Sequence, residues 1–221
     1  MARLLWGNAP SGVPFIARPA TMERMLTPAS AVERIQSVWD PLSARYAAYR
    51  LALPGSPAFI CQPHSCDAYC CRAYSVSLGD SEAERFQRAS GKAFVEFLES
   101  ENGEPVTLPL AQPYLLRRAN NRCRQLNADL GCGEYEGRPN ACRLYPHFVL
   151  FVDAATGRPV HSDLPGMKAS VAALLGGAEG PYLPLLLRHI ECPGFTGEPM
   201  SELQWCELLA ETARLQYPPT P

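Results

Sequence analysis

The first long pattern in the chain is one apolar helical face between residues 27 and 53. Hydrophobic residues recur there at alternating spacings of three and four, the period of one side of an α-helix. They are Val32, Ile35, Trp39, Leu42, Tyr46, Tyr49 and Leu53. Thr27 and Pro28 fit a helix start, with an N-cap hydroxyl followed by proline in the first turn. Because Pro41 interrupts the face, we predict a kinked helix or two helices that meet near Asp40.

Short apolar runs between residues 74 and 110 predict two strands around one helix. Tyr74–Leu78 alternates like a strand, and Val106–Leu110 resembles an edge strand because its proline cannot donate to a central ladder. Asp80 or Ser81 is expected to cap the helix between them, and Ser81 with Glu84 fits a capping box. The buried face of this helix is expected to end near residue 102, before an Asn-Gly pair.

The last third of the chain combines a hairpin with helices. Phe148–Val152 predicts a strand, followed by a turn and a return strand over Arg158–His161. A weak helix is expected at Ala169–Leu175. Glu198–Tyr217 predicts a final amphipathic helix. The residues expected on its inner side are Leu203, Leu208, Leu209, Thr212 and Leu215.

The overall composition is that of an ordinary globular protein, and it argues against some classes of function. The 221 residues are 47% hydrophobic and 19% charged, with a net charge of −2. This slightly acidic net charge argues against binding to nucleic acid, and the Cys and His residues lack the spacing of a zinc finger. The apolar start, Met1–Trp6, is too short for a secretory signal, and no run is long enough to span a membrane. We therefore expect a cytoplasmic protein in which thiols stay reduced.

Nine cysteines are unusual at this length, and most of them cluster. Four lie between residues 61 and 71, with the spacing C-x(4)-C-x(3)-C-C, and Cys123, Cys132 and Cys142 form a second group. Thiolate suits zinc or iron–sulfur clusters, and ligands of closed metal sites come from short loops of this kind. The two stretches are therefore expected to fold together around metal. The predicted ligands are Cys61, Cys66, Cys70, Cys71, Cys123, Cys132, Cys142 and Cys192.

The number of centres is left open by the sequence. Eight thiols would supply two four-thiolate sites or one cluster with spare thiols, and His64 or His147 could replace one ligand. Cys70 and Cys71 are adjacent, so on an extended segment their side chains would point to opposite sides. The pair then serves two sites or contributes one member to packing. Cys206 lies on the final helix and is expected to pack as a small hydrophobe.

The cysteine stretches resemble the YkgJ-type cysteine-cluster family, which is described as zinc- or iron-chelating. The resemblance covers roughly residues 56–196 and rests on the first four cysteines, on Cys192-Pro193-Gly194 and on one specific string. That string is Tyr135-x-x-Arg138-Pro139-x-x-Cys142-Arg143-x-Tyr145-Pro146. The first loop is longer than the commoner family form, and Cys123 lacks the usual aromatic-Leu after it. The cluster is also distantly similar to that of flagellin lysine methylases, which implies a four-iron four-sulfur centre over zinc.

Together these features predict an α+β fold with an irregular, metal-centred domain of short strands between amphipathic helices. We expect a flexible arm at 1–20, a helical extension at 21–54 and the cysteine-cluster domain with its C-terminal helix at 55–217. Arg138, Arg143 and Tyr145 are expected around the ligands, where guanidinium groups would offset thiolate charge.

Three functions follow from these expectations. One is a metal- or cluster-binding protein in redox, metal handling or protein modification, with a protein partner or substrate and no membrane. The second is structural zinc that stabilises an interaction module. The third is a cluster-dependent enzyme that modifies protein side chains, as the methylase resemblance implies.

Overall fold

A computed structural model describes residues 29–160 and 164–218, and these form a mixed α+β fold, as predicted. The helices are α1 (Ala29–Leu42), α2 (Pro63–Cys66), α3 (Tyr69–Ala73), α4 (Asp80–Ser90), α5 (Phe94–Phe97), α6 (Asn140–Leu144), α7 (Met167–Leu175) and α8 (Glu202–Gln216). The strands are β1 (Tyr49–Leu51), β2 (Ser77–Leu78), β3 (Ser100–Glu101), β4 (Glu104–Pro105), β5 (Tyr114–Leu115), β6 (Arg118–Ala119), β7 (Arg122–Cys123), β8 (His147–Asp153), β9 (Pro159–Val160) and β10 (Tyr182–His189). The predicted arm at 1–20, the helix start at Thr27 and His161 lie outside the described residues.

One antiparallel sheet carries the main core, with strand order β1-β10-β8-β9. Its two long strands pair over seven residues, from Tyr182 opposite Asp153 to Arg188 opposite His147. Both contribute continuous buried runs, Val149–Val152 and Leu183–Leu187, instead of alternating polar and apolar positions. Such runs are typical of strands that are covered on both faces. Helices α1, α7 and α8 supply that cover.

The large hydrophobic cluster ties the helices to this sheet. Trp205 of α8 is fully buried, and its indole N–H donates to the carbonyl of Ala52 at 2.8 Å. Ile35 and Trp39 of α1 enter the same cluster. Part of the predicted helical face is therefore core, and it packs on the sheet. Cys206 is 2% exposed in this cluster, as expected for a packing cysteine.

A second, smaller cluster lies under α4 and α5. It contains Leu78, Phe86, Phe97 and Leu116 among its buried members. The rings of Phe86 and Phe97 stack with centroids 4.3 Å apart. The short strands pair as β2-β5, β3-β4 and β6-β7. Leu78 lies on β2, and Tyr114 of β5 and Cys123 of β7 pack against the cluster. One cysteine of the second stretch thus contacts this smaller cluster.

The structure corrects several predicted elements. The helical face does not continue to Leu53, because α1 ends at Leu42, just past Pro41, and Tyr49–Leu51 pairs with β10. The predicted strand Val106–Leu110 is irregular. Gly79, not Asp80 or Ser81, caps α4, and its N–H donates to Glu82 at 3.2 Å.

Two predictions about helices are partly wrong. The single helix expected up to residue 102 is divided into α4 and α5 by Gly91, whose φ of +69° ends the first part. In α8 Leu203 is 37% exposed, whereas the inner side includes Trp205 and Ala213. The hairpin β8-β9 is confirmed, and Asp153 accepts the N–H groups of its turn. Among the described residues, none of the helices combines the length and apolarity needed to cross a membrane.

Candidate metal centre

The first cysteine stretch forms two very short helices joined by a sharp reversal. Cys66 ends α2, whose first residue is Pro63, and Cys70 and Cys71 lie on α3. Asp67 and Ala68 between them both have positive φ, at 50° and 49°, a conformation that non-glycine residues rarely adopt. The thiol of Cys66 lies 3.7 Å from the carbonyl oxygens of Gln62 and Pro63. This reversal turns Cys66 and Cys70 back toward each other.

Backbone pairing brings this stretch against the Cys192-Pro193-Gly194 turn. The N–H of Ile60 donates to the carbonyl of Gly194 at 2.7 Å, and the amide of Gln62 donates to the Thr196 hydroxyl at 2.7 Å. Gly194 is required for this approach, because a Cβ there would lie 2.6 Å from the Phe59 ring. Cys61 and Cys192 therefore flank the same backbone contact.

The second stretch is fixed to the first through Arg118. Cys123 lies on β7, opposite Arg118 of β6, and β7 packs against α3. The Arg118 guanidinium donates to the carbonyls of Arg72 and Tyr74, which follow Cys71. It also donates to the carbonyl of Asn121 at 2.8 Å. Arg118 thereby positions Cys123 beside α3, a role that its place in the sequence did not signal.

Cys132 is held next to Cys123 by a tight loop. A β-bridge pairs Cys132 with Leu126, and the N–H of Gly133 donates to the carbonyl of Gln125 at 2.8 Å. Lys92, two residues after the end of α4, holds this loop in place. Its ammonium forms an ion pair with Glu134 and donates to the Gln125 side chain at 3.1 Å. The loop is thus connected to the smaller hydrophobic cluster.

Cys142 lies on α6, whose start is anchored by a buried carboxylate. Glu82 is 4% exposed and accepts the backbone N–H of Asn140 at 2.6 Å. Arg85 donates to the Asn140 side-chain oxygen at 3.0 Å, and the Asn140 amide donates to the carbonyl of Leu215 at 3.3 Å. The position of Cys142 therefore depends on α4 and on α8 together.

The thiols form one electrostatic neighbourhood. Burial raises the pKa of Cys142 to about 12, with further contributions from Cys123, Cys132 and Cys70. Burial likewise raises the pKa of Cys61, and Cys70, Cys66 and Cys192 add to it. Several thiolates in one place repel, so loss of protons is favoured only when cations are near.

The adjacent pair shares a hydrogen bond. The bond from Cys71 lowers the pKa of Cys70 to about 7, against the effect of burial. The same bond and burial raise the pKa of Cys71 strongly. In the metal-free protein Cys70 is therefore the first thiol of this pair to ionise.

Backbone N–H groups also point at three of the sulfurs. Those of Gln125, Glu134 and Gly194 donate to Cys123, Cys132 and Cys192 and lower their pKa values, although burial outweighs them in each case. In each pair the donor is two residues after the cysteine. Such N–H to sulfur bonds stabilise thiolates in zinc and iron–sulfur sites alike.

The expected surrounding residues differ in their contacts. Arg138 lies with its guanidinium carbon 3.7 Å from the Tyr135 ring centroid. Burial raises the pKa of Cys61 and of Cys132, and the Arg138 charge partly offsets both increases. Arg143 is exposed and faces α8, where it lies 3.7 Å from Glu211. Its place around the ligands stays a prediction.

Tyr145 belongs to an aromatic group beside the thiols. Its ring lies 5.6 Å from that of Tyr74 and 5.3 Å from that of His189. Burial raises the pKa of Tyr145 strongly, followed by the charges of Cys192, Tyr74 and Cys70. The Tyr69 hydroxyl bonds Glu191 at the edge of this group, which raises the pKa of Tyr69. Tyr145 is thus a neighbour of Cys70 and Cys192.

The two histidines considered as ligands have other surroundings. His64 is exposed on α2. His147 packs edge-on against Phe59 and Phe195, and its buried Nε2 has no hydrogen-bond partner among the described residues. Burial, followed by the charge of Arg188, lowers the pKa of His147 to about 4. The His147 imidazole is therefore neutral at pH 7 and lies between two phenylalanine rings near the Arg188 charge.

The donor set fits a thiophilic metal, although the side chains are not yet arranged as ligands. Across residues 29–160 and 164–218, no three Cys, His, Asp or Glu side chains stand close enough together to hold an ion. Cysteines 61, 66, 70, 71, 123, 132, 142 and 192 remain the predicted ligands.

Comparison with known protein families supports this chemistry. Residues 60–162 match the CxxCxxCC family model, described as "Putative zinc- or iron-chelating domain". The resemblance to the YkgJ-type cysteine-cluster family is confirmed. The matched segment contains seven of the predicted ligands and ends before Cys192. No curated protein and no solved structure matches the chain.

Proposed function

We propose that this protein carries a working thiolate metal centre at its surface, formed by the eight clustered cysteines. The observation that carries the proposal is their exposure. Cys61 is exposed and the other seven are partly exposed, whereas Cys206, outside the cluster, is buried in the core. A purely architectural metal would gain from burial, whereas a centre that exchanges electrons or metal ions with another molecule needs access.

An iron–sulfur cluster is the form of the centre that we favour. The donor set consists of thiols alone, which suits both zinc and iron–sulfur clusters. N–H to sulfur bonds and the Arg138 charge offset the negative charge of a cluster with thiolate ligands. The resemblance to flagellin lysine methylases favours a four-iron four-sulfur centre. We place the protein in the reducing cytoplasm, where such thiols persist.

The surface around the cysteines fits a protein partner. Four exposed large hydrophobic side chains lie close in sequence to predicted ligands: Ile60, Tyr69, Tyr135 and Ile190, each at least 36% exposed. Exposed apolar and aromatic residues are common in protein interfaces. A partner that receives electrons or metal would dock here. The same surface would meet a protein substrate if the centre supports side-chain modification.

Anaerobic purification of the full chain tests the metal. An iron–sulfur centre gives a brown protein with broad visible absorbance and matched iron and sulfide contents, which decline in Cys142→Ser and persist in Cys206→Ser. Colourless protein with stoichiometric zinc would contradict the cluster and leave the metal-binding proposal standing. Protein that takes up neither metal would contradict both.

Structural zinc is the second candidate, and the local architecture favours it. Around the cysteines no helix exceeds five residues and the strands β6 and β7 have two residues each. Segments with so little regular structure often depend on metal to fold. Chelation distinguishes the candidates. Loss of folded structure in the whole 56–146 region on metal removal, with no redox activity of the loaded protein, would favour the structural role.

A further inference from the structure

We propose that the eight cysteines form two separate four-thiolate centres, divided between Cys70 and Cys71. The first comprises Cys61, Cys66, Cys70 and Cys192. The second comprises Cys71, Cys123, Cys132 and Cys142. This inference rests on the proposed function, because it assigns ligands to the metal-binding role.

The first set is built on the large sheet. Strand β10 leads directly into Cys192, whose N–H bonds the carbonyl of His189 at 3.4 Å. Antiparallel pairing then joins residues 57–60 to 194–199, from the Pro57–Pro199 bridge to the Ile60–Gly194 bond. Cys61 follows this paired segment, and Cys66 is one short helix further on. These three thiols are therefore carried by one backbone unit.

The second set is built on the smaller cluster. Cys123 packs against that cluster, and Cys132 is bridged to the same segment through Leu126. The anchor of Cys142 is the bond from Asn140 to Glu82, a residue of α4. Gly137, which lies between Cys132 and Cys142, approaches α4 so closely that a Cβ there would lie 3.0 Å from the Cβ of Ala89. Cys123 and Cys132 are therefore carried by a different unit, and Cys142 is held between that unit and α8.

Helix α3 lies between the units and gives one thiol to each. Successive Cα–Cβ bonds on an α-helix are rotated by about 100°, so Cys70 and Cys71, whose thiols share a hydrogen bond, can each turn toward a different set. Cys71 lies in the electrostatic range of Cys123 and Cys142, and α3 packs on β7, which bears Cys123. Cys70 has neighbours in both sets. We assign Cys70 to the first set because its charge acts on both Cys61 and Cys192. We assign Cys71 to the second set because Cys123 and Cys142 act on it and its helix packs against β7.

Each set matches the requirement of one thiolate centre. Four cysteines bind one zinc ion tetrahedrally or hold one iron–sulfur cluster. Binding of a divalent ion would displace the protons of the four thiols to solvent. Arg138 is the shared cation, since its charge acts on Cys61 and Cys70 of the first set and on Cys132 and Cys142 of the second.

Anaerobic titration of the full chain with Co²⁺ alone tests the division, with thiolate-to-metal absorbance and bound cobalt per chain as readouts. Wild type is expected to bind two ions. Cys61→Ser/Cys192→Ser and Cys123→Ser/Cys142→Ser should each bind one, whereas Cys61→Ser/Cys123→Ser should bind none. Cys206→Ser is the matched control and should bind two. Circular dichroism checks that each variant is folded.

Double variants that each include one α3 cysteine provide a second measurement. Cys70→Ser combined with Cys61→Ser should still bind one ion, as should Cys71→Ser combined with Cys123→Ser. Binding of one ion by wild type would overturn the division while leaving the proposed function intact. Binding of none by wild type would overturn the proposed function itself. Two ions in wild type, with both lost in either same-set pair, would overturn the assignment of ligands.

Discussion

Glu82 accepts the backbone N–H of Asn140 at 2.6 Å and thereby joins two parts of the chain that are 58 residues apart. The carboxylate is almost fully buried, and Arg85 lies 3.9 Å away as its nearest cation. It also accepts the N–H of Gly79 at the start of α4. One charged side chain therefore orders the starts of two helices, and the second of these carries Cys142.

Glu82→Gln should destabilise the protein by about 2 kcal/mol, because the two N–H groups bond different carboxylate oxygens and the amide nitrogen that replaces one oxygen is a donor. Chemical denaturation would measure this loss, and metal binding by Cys142 should weaken with it. Glu84→Gln is the control, since Glu84 is exposed and pairs only with Arg88 at 3.6 Å. Equal stability losses in the two variants would contradict the anchoring role of Glu82.

Arg138 and Arg143 flank Cys142 but should differ in effect. Arg138→Gln removes a charge that lowers the pKa values of Cys61, Cys70, Cys132 and Cys142, so those thiols should ionise less readily. We expect severalfold slower alkylation of the metal-free protein at neutral pH and weaker metal binding. Arg143→Gln, which loses the contact with Glu211, should leave the alkylation rate unchanged. Similar rates for both variants would refute the distinction.

His147 should make stability depend on pH in the acid range. Burial and Arg188 lower its pKa from 6.5 to about 4, so the unfolded chain binds the proton more tightly than the folded protein. The stabilisation is complete above pH 6.5 and is lost as pH falls through 4, by about 3 kcal/mol. Denaturation of His147→Gln and wild type in the same metal state should show a shallower acid slope for the variant. His64→Gln, at an exposed site, should keep the wild-type slope.

Gly194 should tolerate no side chain. A Cβ there would lie 2.7 Å from the Ile60 carbonyl oxygen, so Gly194→Ala must separate the two paired segments. We expect a loss of about 1–3 kcal/mol and weaker metal binding at the first set of cysteines. At Gly79 the nearest atom would lie 3.8 Å away, which makes Gly79→Ala the control. Hydrogen exchange at Ile60 should rise in Gly194→Ala and stay unchanged in Gly79→Ala.

The sequence predicted local patterns well where one segment determines its own structure. The hairpin at Phe148–Val160 follows from a β-rich run and a turn that Asp153 caps. The family resemblance likewise followed from local motifs. The sequence did not show which cysteines become neighbours. Their proximity depends on contacts between distant parts of the chain, such as the one between Ile60 and Gly194, which are more than one hundred residues apart.

Strand β10 was not among the strands predicted from the sequence. Pro184 interrupts its apolar run and argues against a central strand. Within the part of the chain that the structure describes, β1 pairs with residues 187–189 of β10, and Pro184 has a strand neighbour on the β8 side alone. The helical pattern of Tyr46–Leu53 also continued past α1 by chance, whereas pairing with β10 decided the fold of that segment. Tertiary contacts outweighed local periodicity in both cases.

The separation of the two hydrophobic clusters has a consequence for cooperativity. Each cluster can lose its structure as a unit of its own, and the described links between them run largely through α3, α6 and the bonds made by Arg118 and Asn140. A metal bound by thiols from either side of α3 would make these units unfold together. The melting curve would then show one transition for the metal-bound protein and two transitions for the metal-free protein.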